Sequence, residues 1–241
     1  MEYDYSEDLK KRISDNIISV KEAIDEATAF SGREKGSVTL IGVSKVFPVE
    51  YAEAAAMSGL ADLGENRVQE FLGKRDELNL DGVEKHLIGH LQTNKVRQIV
   101  GEVDFIDGVD SVKVAKEIGK VSSRMGIKTD ILLEINIGAE ESKFGFTPES
   151  IGETVYEIAE IEGIKVRGLM AVPPICDNSL KNRQFFENMH RLFIDIGAKN
   201  IDNISMDILS MGMSGDYDEA ILGGANMVRI GSALFGARNY R

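Results

Sequence analysis

Thr39-Leu-Ile-Gly-Val-Ser-Lys-Val-Phe-Pro48 begins in an apolar, β-branched run, residues 38–43, and carries one charged residue, Lys45, just after it. Residues 38–43 predict a strand buried on both faces, and Pro48 ends the extended segment before a helix-like stretch. In a closed parallel barrel, the carboxyl end of such a strand opens into the active-site face. Partly apolar surroundings there would keep more of the Lys45 amine neutral, and a neutral amine forms Schiff bases with aldehydes. The alternative is a lysine that reaches solvent from a strand end.

From residue 38 onward, strand-like and helix-like segments alternate. The predicted strands span residues 38–43, 62–64, 86–89, 103–106, 129–137, 164–172, 204–210 and 227–230. The predicted helices span residues 49–58, 65–78, 93–100, 111–125, a segment opening with Thr147 as N-cap and Pro148 as first residue, 178–196 and 216–222. This order predicts an α/β fold of the TIM-type (β/α)8 barrel. A doubly wound sheet is the alternative, but it usually has fewer strands in this length, and no G-x-G-x-x-G follows the first strand.

An additional helix precedes the first strand. Ser6 is a candidate N-cap, apolar residues recur at positions 9, 13, 17, 20 and 24, and Gly32 is a candidate C-cap. We therefore expect a single domain over residues 1–241, with an N-terminal helix in residues 1–32 and the barrel in residues 38–236.

Composition excludes several classes of partner. The 241 residues carry a formal net charge of −12, which argues against general binding to nucleic acids or to anionic membranes. The single cysteine, Cys176, excludes an intrachain disulfide and fits a reducing compartment; we interpret it as a bystander thiol in a loop. The acidic N-terminus does not resemble a signal peptide, and no apolar run is long enough to span a bilayer. We expect a soluble, cytoplasmic protein.

Two loops rich in glycine and serine follow the last two predicted strands, at residues 210–216 and 231–233. Backbone N–H groups and hydroxyls of this kind bind anions, and the loops after strands seven and eight are the usual phosphate site of these barrels. Strands one and eight are neighbours in a closed barrel, so the amine of Lys45 and this cradle would lie side by side. Pyridoxal 5′-phosphate (PLP), which carries an aldehyde and a phosphate, fits that pair. For Ser214 alone, the alternative is a helix N-cap.

Arg229 lies at the end of the last predicted strand and should point to the barrel mouth. A permanent cation against a pyridine nitrogen disfavours its protonation, which makes the ring a weaker electron sink. Such a site would hold the cofactor well but stabilise a carbanion poorly. The alternative is a solvent-facing salt bridge.

Six motifs, in order over nearly the whole chain, resemble the pyridoxal phosphate homeostasis protein family, which is similar to the barrel domain of alanine racemase. The motifs are Val43-Ser-Lys-Val-Phe-Pro48, Gly64-Glu-Asn-Arg-Val-Gln-Glu70, His86-Leu-Ile-Gly-His-Leu-Gln-Thr-Asn-Lys95, Arg167-Gly-Leu-Met-Ala171, Leu209-Ser-Met-Gly-Met-Ser-Gly-Asp216 and Val228-Arg-Ile-Gly-Ser-Ala-Leu-Phe-Gly-Ala-Arg238. The resemblance implies that Lys45 carries the PLP aldimine and that Arg229 faces the pyridine nitrogen. It also implies phosphate binding by Ser214, Gly231 and Ser232, where many relatives have threonine in place of Ser232.

The resemblance places Asn66 and His90 in the lining of the ring pocket. For His90, the alternative is a structural histidine that bonds a neighbouring loop. His86 and His190 are interpreted as structural or solvent-facing, and the three histidines and one cysteine show no metal-ligand spacing.

Three functions are compatible with these residues. The resemblance implies a non-catalytic PLP carrier or buffer that hands the cofactor to apo-enzymes. The second is an amino-acid racemase of the alanine racemase type, which would take its second base from a separate domain of a partner subunit. No such domain follows the last barrel element here, so we expect binding rather than turnover, and a monomer. The third is a barrel that binds another phosphorylated metabolite non-covalently, with Lys45 only pairing the phosphate.

Overall fold

Eight parallel strands close into a barrel in their sequence order, with β1 pairing β8. This computed structural model describes residues 7–77, 82–138, 140, 144–174 and 179–237. The strands are β1 (Thr39–Val43), β2 (Asp62–Glu65), β3 (Glu84–Leu87), β4 (Phe105–Val109), β5 (Thr129–Ile135), β6 (Ile164–Ala171), β7 (Ile204–Ser210) and β8 (Met227–Ile230). The predicted (β/α)8 barrel is therefore confirmed.

Helices cover the outside of the barrel. They are α1 (Glu7–Phe30), α2 (Val49–Met57), α3 (Val68–Arg75), a 3-10 turn (Thr93–Lys95) continued by α4 (Val96–Ile99), α5 (Val112–Met125), α6 (Pro148–Ala159), α7 (Ser179–Gly197), α8 (Tyr217–Leu222) and α9 (Ser232–Phe235). The predicted N-cap of α6 is confirmed, because the Thr147 hydroxyl accepts the N–H of Ser150. The short helix α9 was not predicted. Ser6, the predicted helix end at residue 78 and Cys176 lie outside the described residues.

Two predicted strands are displaced by about two residues. β3 begins at Glu84 and ends before Gly89, where a Cβ would lie 2.3 Å from the carbonyl oxygen of Asn66. The chain therefore leaves the ladder early so that this loop can pack against the one after β2. β4 starts later than predicted and runs through Asp107, a fully buried carboxylate. Apolar patterning misplaced it because aspartate is disfavoured in strands.

Side chains alternate between the barrel interior and the helix layer. Ile41 and Val43 of β1 belong to an interior cluster together with Met227 of β8. The same parity places Lys45, two residues after Val43, and Arg229, two residues after Met227, on the inward side.

The predicted apolar face of α1 is confirmed, since Leu9, Ile13, Ile17, Val20 and Ile24 are all buried. The helix packs against α2, α8 and α9, so it contacts both the first and the last βα units of the barrel. Within the described residues, no helix combines the length and the apolar character needed to cross a membrane.

Candidate functional site

A cavity of about 680 Å³ opens at the carboxyl ends of the strands. Its size falls within the range of about 300–1,000 Å³ that is usual for small-molecule sites. It is lined by every residue that the sequence analysis selected: Lys45, Asn66, His90, Ser214, Arg229, Gly231 and Ser232. The structure thus brings the predicted amine and the predicted anion cradle to one place.

Lys45 is half-buried and directly follows the carboxyl end of β1. Its Nζ donates to Oδ1 of Asn66 over 3.4 Å. Asn66 follows β2, the strand that pairs with β1. Asn66 can therefore orient the amine that the cavity presents.

The backbone next to Lys45 is strained. Val46 has a φ of 63°, in the left-handed region that β-branched residues rarely adopt. Its N–H donates to Oε1 of Glu70, on α3. Helix α3 thus holds the turn that follows Lys45.

A buried ion cluster also contacts the turn that follows Lys45. Nζ of Lys74, also on α3, donates to the carbonyl oxygen of Ser44 over 2.9 Å and to Oε1 of Glu65 over 2.6 Å. The Ser44 hydroxyl donates to that same Glu65 oxygen over 2.6 Å. Burial raises the pKa of Glu65, and the ion pair with Lys74 and the bond from Ser44 oppose the shift. Sequence reasoning assigned no role to Glu65 or Glu70; the four-residue spacing from Glu70 to Lys74 was the available signal.

Ser214 and Gly231 connect the two loops of the anion cradle. The Gly231 N–H donates to the Ser214 hydroxyl over 3.2 Å. The N-cap position of α8 is occupied by Asp216, so the alternative of Ser214 as an N-cap is wrong. Ser232 is exposed and is the first residue of α9. Ser214, Gly231 and Ser232 therefore lie next to one another in the lining of the cavity.

Arg229 is only 4% exposed, so the solvent-facing alternative is wrong. Its Nη1 donates to the Ser210 hydroxyl over 2.6 Å, and its Nη2 donates to the Ala171 carbonyl oxygen over 2.9 Å. Burial lowers the pKa of Arg229, while the charges of Asp107, Glu134 and Asp216 oppose that shift. The guanidinium is thus fixed at the ends of β6 and β7.

His90 lines the cavity and also bonds a neighbouring loop, as the structural alternative predicts. It lines the cavity, and its Nδ1 bonds to Oδ2 of Asp110 on the loop after β4. Its ring stacks on Phe144 with 3.7 Å between ring centroids.

Sequence reasoning also missed Glu134 and Phe144, which line the cavity. Burial raises the pKa of Glu134, the nearby Asp110 adds to the shift, and Arg229 and His90 oppose it. Glu134 alternates with buried apolar residues of β5, and that pattern was its only signal.

Comparison with known proteins identifies the family. The family model described as "Alanine racemase, N-terminal domain" matches residues 19–239. A pyridoxal phosphate homeostasis protein from Aquifex aeolicus is 40% identical over 221 residues, which cover 92% of this chain and 96% of that protein. The chain belongs to the pyridoxal phosphate homeostasis protein family.

Solved structures agree with this family membership. The structure of a protein of unknown function from Bifidobacterium adolescentis superimposes with a TM-score of 0.90 at 31% identity, covering 95% of this chain and 97% of that one. PipY from Synechococcus elongatus, solved with PLP bound, superimposes with a TM-score of 0.81 at 28% identity, covering 93% of this chain and 100% of PipY.

Proposed function

We propose that this protein binds PLP covalently through Lys45 and acts in PLP homeostasis as a carrier or buffer. One observation carries the proposal: Lys45 and the Ser214–Gly231 cradle line the same cavity, at the carboxyl ends of adjacent strands. A single small ligand with an electrophilic carbon and a phosphate satisfies both. The PLP-bound PipY structure and the family name support the same ligand.

Each residue has a distinct task in this proposal. PLP supplies an aldehyde that reacts reversibly with amines and a ring that withdraws electrons. Lys45 offers the amine, and Asn66 orients it through the bond to Nζ. Ser214, Gly231 and Ser232 bind the phosphate through hydroxyls and a backbone N–H.

Arg229 and His90 complete the pocket. Arg229 would hold the ring nitrogen unprotonated, because its fixed positive charge opposes a second one. His90, stacked on Phe144, forms one wall beside the ring. A pocket of this kind retains the cofactor, but the ring of that cofactor withdraws electrons only weakly. This favours storage and transfer over turnover.

Spectroscopy of the purified protein with added PLP tests the covalent site. Wild type should show a visible absorption band that Lys45→Ala lacks, and borohydride reduction should fix the mass of the cofactor onto Lys45. If wild type shows no band and no reduced adduct, the covalent site is wrong. A non-covalent phosphate site, with Lys45 pairing the phosphate, would then be favoured.

A matched pair of serine variants tests the phosphate cradle. Ser214→Ala should weaken PLP binding about 10- to 100-fold, because a hydrogen bond to a charged group contributes about 1.5–3 kcal/mol. Ser205→Ala is the control, since the Ser205 hydroxyl donates to the Val166 carbonyl and does not line the cavity. Equal PLP affinities of the two variants would show that Ser214 does not bind the phosphate.

The carrier role and the oligomeric state have separate tests. Mixing the PLP-loaded protein with an apo PLP enzyme should restore that enzyme's activity faster than the same concentration of free PLP does.

Incubation with L-alanine should yield no D-alanine; racemisation would establish the enzyme alternative. Light scattering should give the mass of a monomer, 26.5 kDa.

A further inference from the structure

A second group of potential ligands lies at the opposite end of the barrel, where the strands begin. Asp62 and Glu84 are the first residues of β2 and β3 and are paired in register, and His86 follows on the same face of β3. One ligand atom from each of these three residues lies within 4.8 Å of the others. A cavity of about 320 Å³, lined in part by Asp62 and Glu84, opens beside them.

The geometry of His86 is that of a metal ligand. Its side chain is fully buried, and its Nδ1 bonds to Oδ1 of the buried Asp107 over 3.1 Å. Histidines that bind metals nearly always donate their second ring N–H to a carboxylate or a carbonyl in this way. With the proton on Nδ1, the lone pair of Nε2 points toward Asp62.

The spacing between Nε2 and Asp62 fits two ligands of one ion. Nε2 of His86 has no hydrogen-bond partner within the described part of the chain, and it lies 3.4 Å from Oδ1 of Asp62. That distance exceeds the usual N–H···O range of about 2.7–3.2 Å. Two ligands of a tetrahedral zinc ion lie about 3.3 Å apart, given bonds of about 2.0–2.1 Å. In this tautomer the lone pair faces a carboxylate oxygen, and a cation bound between the two atoms would remove their repulsion.

The local charge favours a cation at this position. The basic side chains nearby are engaged with other acids, because Lys85 pairs with Asp104, and Arg167 bridges Asp130 and Asp207. Asp62 and Glu84 line the same cavity, and neither belongs to these ion pairs. Glu84 is exposed and the side chain of Asp62 is 12% exposed, so an ion can enter from solvent past Glu84.

We propose that Asp62, Glu84 and His86 bind one divalent metal ion of the zinc type, with Asp107 orienting His86 and water in the remaining position. One imidazole and two carboxylates form a donor set that suits Zn²⁺. The ion would join the starts of β2 and β3, at the end of the barrel opposite the PLP site. Sequence reasoning missed the site because its ligands are brought together by strand register and not by a short motif.

The competing occupant of this space is a proton. Burial by itself lowers the pKa of His86, but Asp107 and Asp62 outweigh it and raise the pKa to about 10. An imidazolium between two carboxylates would then be a purely structural ion triad. It would need no contribution from Glu84, and this difference makes Glu84 the decisive residue.

Calorimetric titration of the chelator-treated, PLP-loaded protein with Zn²⁺ tests the proposal. Wild type should bind one Zn²⁺ per chain with micromolar or tighter affinity, and Glu84→Gln and Asp62→Asn should each weaken that binding at least tenfold. Glu22→Gln, an exposed glutamate of α1, is the matched control and should leave it unchanged. Crystals soaked with Zn²⁺ should show an anomalous peak between the three ligands.

Two results would overturn the proposal: no stoichiometric Zn²⁺ binding by wild type, or unchanged Zn²⁺ binding in Glu84→Gln. Glu84 is exposed at a strand start, so its replacement by glutamine should not prevent folding. The visible band of bound PLP should be the same in wild type and in Glu84→Gln. Failure of the metal site can therefore be told apart from failure of the PLP site.

Discussion

At the scale of single residues, the position of Arg229 determines the burial and the direction of its charge. Its side chain points into the barrel because it shares the face of β8 that carries Met227. Two neutral oxygens, from Ser210 and Ala171, hold it there in a fork that only a guanidinium can form. The positive charge is therefore both buried and fixed in direction.

Replacement of Arg229 by lysine should show that this fork matters beyond its charge. An ammonium keeps the charge but cannot serve both oxygens in one plane, and it is more strongly hydrated. Arg229→Lys should lower the free energy of unfolding by about 2 kcal/mol and weaken PLP binding about tenfold, measured by urea denaturation and by spectroscopic titration. Arg183→Lys, at an exposed ion pair, is the control and should cost less than about 0.5 kcal/mol. Equal stabilities of the two variants would contradict this view of Arg229.

At the scale of elements, helix α3 determines the shape of the turn after β1. Lys74 and Glu70 sit one helical turn apart and contact Ser44 and Val46, the residues on either side of Lys45. Glu65, at the end of β2, receives both Lys74 and Ser44. Two consecutive βα units are thus joined by buried charges directly beneath the candidate amine.

Lys74→Met should expose how strongly these buried charges depend on each other. It leaves Glu65 buried without its cation, and removal of one partner from a buried pair costs about 3–5 kcal/mol. Lys74→Met/Glu65→Gln should recover much of that loss, because no charge then remains unpaired. Lys10→Met, at an exposed pair, is the control. Urea denaturation at pH 7 measures all three; a double variant no more stable than Lys74→Met would argue against this account.

The stability of Lys74→Met relative to wild type should depend on pH in a defined direction. Burial already raises the pKa of Glu65 above its ordinary 4.5, and loss of Lys74 removes the interactions that oppose this shift. A carboxyl with a higher pKa in the folded state binds its proton more tightly there than in the unfolded state, so stability falls as pH rises through that higher pKa. The deficit of Lys74→Met relative to wild type should therefore shrink between pH 7 and pH 5. A deficit that does not change with pH would mean that Glu65 is not its source.

Element boundaries also show how far the sequence could predict the structure. β7 and β8 were predicted with their observed bounds, and both have apolar runs next to glycine- and serine-rich loops. β3 and β4 were displaced because Glu84 and Asp107 are strand residues for reasons of tertiary packing. The cavity residues were found because they follow strands in recognisable motifs. Glu134 and Phe144 were not, because their places depend on how strands and loops meet in space.

At the scale of the whole molecule, α1 joins the first and the last βα units of the barrel. Asn16 donates to the Leu234 carbonyl over 2.8 Å, near the last strand, and Lys21 donates to the Gly59 carbonyl over 3.0 Å, after α2. The seam between β1 and β8 lies between these contacts, and the candidate site draws Lys45 from one side of the seam and Arg229 from the other. The N-terminal helix thus stabilises the closure on which the site depends.

Two adjacent isoleucines of α1 allow a matched test of that role. Ile17 is 1% exposed and packs in the main core, whereas Ile18 is 54% exposed. Ile17→Ala should lower the free energy of unfolding by about 2–5 kcal/mol through lost burial and the cavity left behind. Ile18→Ala changes helix propensity by the same amount but empties no cavity, so it should stay within about 0.5 kcal/mol of wild type. Urea denaturation of both variants measures the difference; similar stabilities would mean that α1 is not part of the cooperative core and that barrel closure does not depend on it.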